Sequence, residues 1–196
     1  NLTNGEAPPV EVSVGGGPAR SSAAAAPEPE DDRETAQPRI RLDPRYTFDT
    51  FIEGKSNAQA NAAAHRAAEA PGVAYTPLLI YGDSGLGKTH LMHAIGNAIR
   101  ARDPKAHIVY VGAERFVRDL VNSIQHGKTE DFKNHYRSVG ALLIDDIHFF
   151  VGKQASQEEL FHTFNELLDG RQQMVLTCDR YPEELDGLDK RLRSRF

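Results

Sequence analysis

The sequence predicts an α/β domain whose parallel sheet is covered by helices on both faces, preceded by a disordered segment. Three observations carry this. From Tyr46 onward short apolar runs alternate with stretches of helical periodicity, one of those runs leads straight into a glycine-rich loop that opens a helix, and residues 1–45 hold no aromatic side chain. The 196 residues, 39% hydrophobic with a net charge of −5, suffice for one ordinary domain and an appendage.

The appendage comes first. Residues 1–45 contain seven of the 11 prolines, runs of glycine and alanine, and eight carboxylates against five arginines. Such a segment has too little apolar surface to offset the entropy of ordering it, so it is expected to be a solvated tether. Past Tyr46, the Ala-rich stretch 58–70 follows a Ser56-Asn57 pair suited to capping a helix. Leu78–Tyr81 reads as a buried strand, and the helix from Lys88 sets Leu91, Ala94, Ile95, Ala98 and Ile99 on one stripe before Pro104 closes it. Residues 108–111 fit a second strand. Two helices follow, parted at Gly127; the first carries Phe116, Val117, Leu120, Val121 and Ile124, the second Phe132 and Tyr136. A third strand fits 141–144, a helix over 156–168 turns Leu160, Phe161, Phe164 and Leu167 inward, and a fourth strand fits 174–177. Strands alternating with helices make the sheet parallel.

Several classes of protein are excluded by composition. No apolar run approaches the roughly 20 residues of a membrane span, and no signal-peptide pattern opens the chain. The single cysteine, Cys178, cannot form an internal disulfide, which points to a reduced, cytoplasmic setting. Mild acidity gives no support to non-specific nucleic-acid binding by the whole surface, so any DNA contact has to be local.

The chemistry lies in the loop Gly82-Asp83-Ser84-Gly85-Leu86-Gly87-Lys88-Thr89, which fits G-x-x-x-x-G-K-[ST] between a strand and a helix. Gly82, Gly85, Leu86 and Gly87 turn backbone N–H groups toward phosphates, Lys88 reaches the β and γ oxygens, and Thr89 can ligate Mg²⁺. The apolar strand Leu142-Leu143-Ile144 ends in Asp145 and Asp146 at the carboxyl edge of the sheet. Asp145 is placed to hold Mg²⁺ and Asp146 to polarise an attacking water, although an ordinary acidic strand end has the same local pattern. Asp179, after the fourth strand, is a candidate sensor of the bound nucleotide or an acceptor that caps the turn before Pro182. No guanine-reading N-K-x-D occurs, which favours ATP over GTP. His90 and His93 could share a metal by spacing, but no third ligand is spaced for it.

With these residues in view, the chain resembles the DnaA family of bacterial replication initiators. The resemblance is carried by Tyr46-Thr47-Phe48-Asp49 with Gly54-Lys55-Ser56-Asn57, by Tyr81 through Leu91, by Asp145-Asp146-Ile147-His148-Phe149-Phe150, and by Phe161-His162-Thr163-Phe164-Asn165. Leu176 through Pro182 and Arg191-Leu192-Arg193-Ser194-Arg195-Phe196 extend it. It implies an AAA+ ATPase core that binds ATP and ADP with Mg²⁺, acts as a weak ATPase used as a switch, and in its ATP form assembles as a homo-oligomeric filament on origin DNA to promote unwinding. It also implies that Gly54, Asn57 and His90 belong to the nucleotide site and that Arg195 is an arginine finger reaching the ATP of a neighbouring subunit. Arg137 belongs to the family block and is either a contact to a neighbouring subunit or part of a solvated helix face.

By the same resemblance Val121 and Lys153 contact single-stranded DNA, whereas spacing alone assigns Val121 to a core stripe. Ala155 stands where the family often has a second basic residue. A helical lid with a second sensor and a C-terminal helix-turn-helix for duplex DNA are expected beyond Phe196. The replicative helicase, regulators and acidic phospholipid are implied partners. The alternatives are a helicase-loader ATPase and a DnaA-related regulator, each acting through protein contacts.

Overall fold

The computed structural model describes residues 42–196. Over residues 1–41 the expected disordered tether lies outside the described residues. Among the described residues, Leu42, four positions before Tyr46, is already buried in the core.

The chain runs through α1 (Ala58–Glu69), β1 (Leu78–Tyr81), α2 (Lys88–Arg102), β2 (Ile108–Gly112), α3 (Ala113–Gln125), α4 (Thr129–Arg137), β3 (Ala141–Asp145), α5 (Gln154–Asp169), β4 (Gln173–Cys178) and α6 (Lys190–Arg193). Short 3-10 turns at Ile147–Phe150 and Pro182–Glu184 follow β3 and β4. The four strands are parallel in the order β1-β4-β3-β2, with Gly112 beside Asp145 and Tyr81 beside Cys178. All residues of β3 and β4 are buried, as the two central strands of a sheet covered on both faces must be.

Each face has its own core. On one, Ala64, Ala67 and Ala68 of α1 and Leu91, Met92, Ile95 and Ile99 of α2 pack with Leu42 on Leu78, Ile80, Leu143 and Val175. On the other, α3, α4, α5 and α6 supply Phe116, Leu120, Phe132, Tyr136, Leu160, Phe164, Leu167 and Leu192 against Leu142, Ile144, Met174 and Leu176. Alanine on α1 and Gly96 on α2 allow close approach. A Cβ at Gly96 would stand 2.7 Å from Leu42 Cδ1 and 2.9 Å from Leu143 Cδ1. The helix ends at Arg102 because Asp103 precedes Pro104 and takes an extended backbone.

Three sequence expectations are corrected. Val121 is 44% exposed and Ile124 56% exposed, so the core stripe of α3 is Phe116, Leu120 and Ser123, with Val117 at its margin. The Asn57 side chain does not cap α1. It turns back instead, Oδ1 accepting from Gly54 N–H at 2.8 Å and Nδ2 donating to Ile52 O at 3.1 Å, which ties the preceding loop into a knot. Arg137 is not on a solvated face: its side chain is 14% exposed and pairs with Glu159 at 2.6 Å and with Glu166, clamping α4 to α5. Among the described residues no helix is long and apolar enough to cross a membrane.

Candidate functional site

The site forms where β1, β3 and β4 end. Beyond Tyr81 the chain turns through Gly82, Gly85 and Gly87, all with positive φ, into the first turn of α2. Lys88 Nζ donates to the carbonyls of Gly82 at 2.7 Å and Asp83 at 2.9 Å, which holds the loop closed on its own lysine. Gly87 also lets a ring approach: a Cβ there would come within 2.7 Å of Phe51 Cε2. Phe51 therefore presses the segment before α1 against the phosphate loop.

The carboxylate of Asp145 is 7% exposed and receives three hydroxyls. Thr89 Oγ1 donates to Oδ2 at 2.9 Å, Tyr110 Oη donates to Oδ2 at 3.0 Å, and Thr177 Oγ1 donates to Oδ1. Three hydroxyl donors take the place of the water that a buried carboxylate would otherwise need. Burial, reinforced by the Asp145 charge, pushes the Tyr110 phenol far above its usual range, so it acts as a fixed donor. Thr89 and Asp145 together offer the hard oxygen ligands that Mg²⁺ takes.

Asp146 has a left-handed backbone, φ 60°, and its N–H donates to Thr177 Oγ1 at 2.8 Å. Thr177 thus holds both members of the acidic pair at once. Burial and then the neighbouring Asp145 raise the Asp146 carboxyl above the ordinary value, while Arg180, donating to Asp179 at 2.9 Å, lowers that of Asp179. Two carboxyls pushed apart in this way suit different tasks, one exchanging a proton and one remaining a fixed charge. His148 Nδ1 stands 3.7 Å from Asp179 Oδ1.

The structure brings together Gly82, Gly85, Gly87, Lys88, Thr89, Asp145 and Asp146, with Leu86 42% exposed at the loop tip. Asp179 follows at the end of β4. His90, expected in the nucleotide site, has its Nε2 2.8 Å from Thr47 O and its ring packed against those of Tyr46 and Phe51, which fastens the segment before α1 to α2. His93 accepts from Asp43 N–H at 3.0 Å, and no cluster of three or more His, Cys, Asp or Glu placed to hold a metal occurs among the described residues. Gly54 and Asn57 share the knot over α1. Val121, Lys153 and Arg195 lie outside the cluster. Lys153 curls onto Phe149, 3.9 Å above its ring, and Arg195 is exposed with its guanidinium 6.0 Å from the Phe161 ring. Sequence reasoning missed Tyr110 and the double role of Thr177. Each had one signal, a hydroxyl inside an otherwise apolar strand.

A family model described as the bacterial DnaA ATPase domain matches residues 42–196. The chain belongs to the bacterial DnaA ATPase-domain family. Among solved structures, domain III of the Thermotoga maritima replication initiation protein DnaA is 47% identical with a TM-score of 0.77, covering 79% of this chain and 65% of that one. DnaA from Aquifex aeolicus bound to AMPPCP is 41% identical with a TM-score of 0.75, and 48% of that chain is covered. A DnaA bound to AMPPCP and single-stranded DNA matches equally well. The chain therefore spans about two thirds of the Thermotoga domain and about half of the Aquifex protein. The DnaC helicase loader, 17% identical with a TM-score of 0.65, shares the fold.

Proposed function

We propose that this chain is the ATP-binding core of a replication initiator, in which bound ATP favours assembly on origin DNA and slow hydrolysis ends that state. The observation that carries the reading is the bond from Thr89 to Asp145, which joins the phosphate loop to the acidic strand end. It is supported by family membership and by the AMPPCP and single-stranded DNA complexes of DnaA relatives.

In this reading Lys88 leaves the carbonyls of Gly82 and Asp83 for the β- and γ-phosphate oxygens, trading two neutral acceptors for anionic ones. Thr89 and Asp145 would hold Mg²⁺, which when bound neutralises phosphate charge. Asp146, its carboxyl raised toward proton-accepting strength, orients the attacking water. Asp179 stays ionised beside Arg180 and responds to the γ-phosphate. Gly54 and Asn57 shape the base and ribose side, Arg195 reaches a neighbouring subunit's nucleotide, and exposed Val121 with Lys153 faces single-stranded DNA. ATP and ADP act as conformational ligands, their effect set by the difference in affinity between assembled and free states.

Titration with a fluorescent ATP analogue tests this directly. Lys88→Ala is expected to lose triphosphate binding, whereas Arg195→Ala keeps it and loses ATP-dependent association. Wild-type protein that binds neither ATP nor ADP would sink the proposal. ATP binding without any DNA binding would shift it to a loader or regulator that works through protein contacts.

A further inference from the structure

Gln157 is 4% exposed and its carboxamide is fully used. Nε2 donates to Phe150 O at 2.9 Å and to Gly187 O at 2.9 Å, and Oε1 accepts from Asp189 N–H at 2.6 Å. These partners come from two separate segments. Phe150 closes the 3-10 turn that leaves Asp145 and Asp146, while Gly187 and Asp189 lead into α6. Gly152 N–H, donating to Gly187 O at 3.3 Å, runs beside the same bridge.

From Asp189 the connection continues to Arg195. Asp189 Oδ1 caps α6 by accepting from Arg191 N–H at 2.7 Å, and Leu192 is fully buried against α5. Arg195 follows α6 after Ser194 and shares the Phe161 ring with Arg191. A buried amide costs free energy unless every polar group is paired, and here the pairing spans the gap between the acidic turn and α6. Packing alone would be served by an apolar side chain of the same length.

We propose that Gln157 is the positioning residue for Arg195: it ties the start of α6 to the turn after Asp145 and Asp146, so one buried amide sets the placement of the guanidinium relative to its own subunit's site. The proposal rests on the reading of Arg195 as the group that reaches a neighbour's ATP, and the test separates the two.

The chain is prepared with Gln157→Met, with Arg195→Ala and with Lys88→Ala, and ATP affinity and ATP-dependent association are measured by titration and sedimentation. Gln157→Met is expected to bind ATP within about threefold of wild type, a change of under 1 kcal/mol, yet not to self-associate. Mixed with Lys88→Ala protein, which brings a placed Arg195 but holds no ATP, it forms a pair; mixed with Arg195→Ala protein it does not. Normal self-association, lost ATP binding, or no pairing with Lys88→Ala protein overturns the proposal, since each puts the defect elsewhere than in the donated guanidinium.

If Arg195→Ala associates like wild type, the reading of Arg195 fails and hydrogen exchange decides on Gln157 separately. The amides of Asp189 and Arg191–Arg193 must then exchange about tenfold faster in Gln157→Met while β3 and β4 are unchanged, and unaltered exchange in α6 overturns it. Should Gln157→Met not fold, Gly187→Ala disturbs the bridge from its other end. Gly187 has φ +89°, and a Cβ there meets Val151 Cγ1 at 3.2 Å. It must give the same pattern, and wild-type behaviour refutes the bridge.

Discussion

Replacing Thr177 by valine removes one oxygen and leaves the shape of the side chain. Two bonds go with it: the acceptor for Asp146 N–H at 2.8 Å and the donor to Asp145 Oδ1. A part-buried N–H left without a partner falls at the low end of the roughly 1–3 kcal/mol that a buried one costs, and a hydrogen bond to a charged group contributes about 1.5–3 kcal/mol. Asp145 keeps the hydroxyls of Thr89 and Tyr110, which puts its share at the low end. The expected loss is about 3 kcal/mol, or roughly 6–12 °C in the melting temperature of a domain this size. Urea unfolding followed by far-ultraviolet circular dichroism measures it, with an unchanged m-value showing that the denatured state is not the cause. Thr177→Ser keeps the hydroxyl, loses a methyl group and is expected to cost about 1 kcal/mol. If valine costs no more than serine, Thr177 is a packing residue and the reasoning fails. A second readout follows from what Thr177 holds. ATP turnover falls further than ATP affinity, because the strained backbone of Asp146 loses its anchor.

Other consequences can be checked on the same protein. Leu120→Ala is expected to cost about 3 kcal/mol, whereas Val121→Ser, one position along but 44% exposed, stays within about 0.5 kcal/mol while weakening single-stranded DNA binding. Arg137→Met leaves Glu159, with only 16% of its side chain exposed, facing no cation. A cost of about 2 kcal/mol is expected, part of it recovered by Glu159→Gln in the same chain, and a double-mutant coupling near zero would show the clamp to be inert. Burial holds the His93 imidazole below its usual 6.5, so the unfolded chain takes up that proton first. Stability is therefore full above about pH 6.5 and declines as the pH falls below it, a slope that His93→Gln flattens. Asp43, held down to about 2 by its bonds from Arg45, contributes in a separate window, lost only as the pH falls from about 3.8 toward 2.

How much of this was legible in the sequence depended on the distance over which each interaction acts. The phosphate loop and the acidic pair are contiguous, and their geometry follows from a strand entering a helix, so Gly82 through Thr89, Asp145 and Asp146 could be read directly. The strands were found to within a residue or two because the middle residues of the central ones are apolar. Val121 and Ile124 were misassigned because periodicity gives the direction of a stripe and not its width, and α3 buries Ala113, Phe116, Leu120 and Ser123. Arg137 and Gln157 were not legible, since apart from Phe150, seven positions before Gln157, their partners lie 22 to 32 positions away. Nothing in a polar helix position tells a bridge from a solvated side chain. The same holds for Leu42, whose apolar character was hidden among prolines and charges and whose place depends on Gly96 far along the chain.

Leu42 also decides how a mechanical load would enter the domain. The segment that begins with it is fastened chiefly to α2: Leu42 lies on Gly96, Asp43 N–H on His93, the carbonyls of Asp43 and Tyr46 on Asn97 Nδ2, and Thr47 O on His90. The first turn of that helix carries Lys88 and Thr89. Tension applied from the N-terminal side would thus be borne by the helix that carries Lys88 and Thr89 before it reached the sheet, as a rope made off to a lever pulls first on the lever.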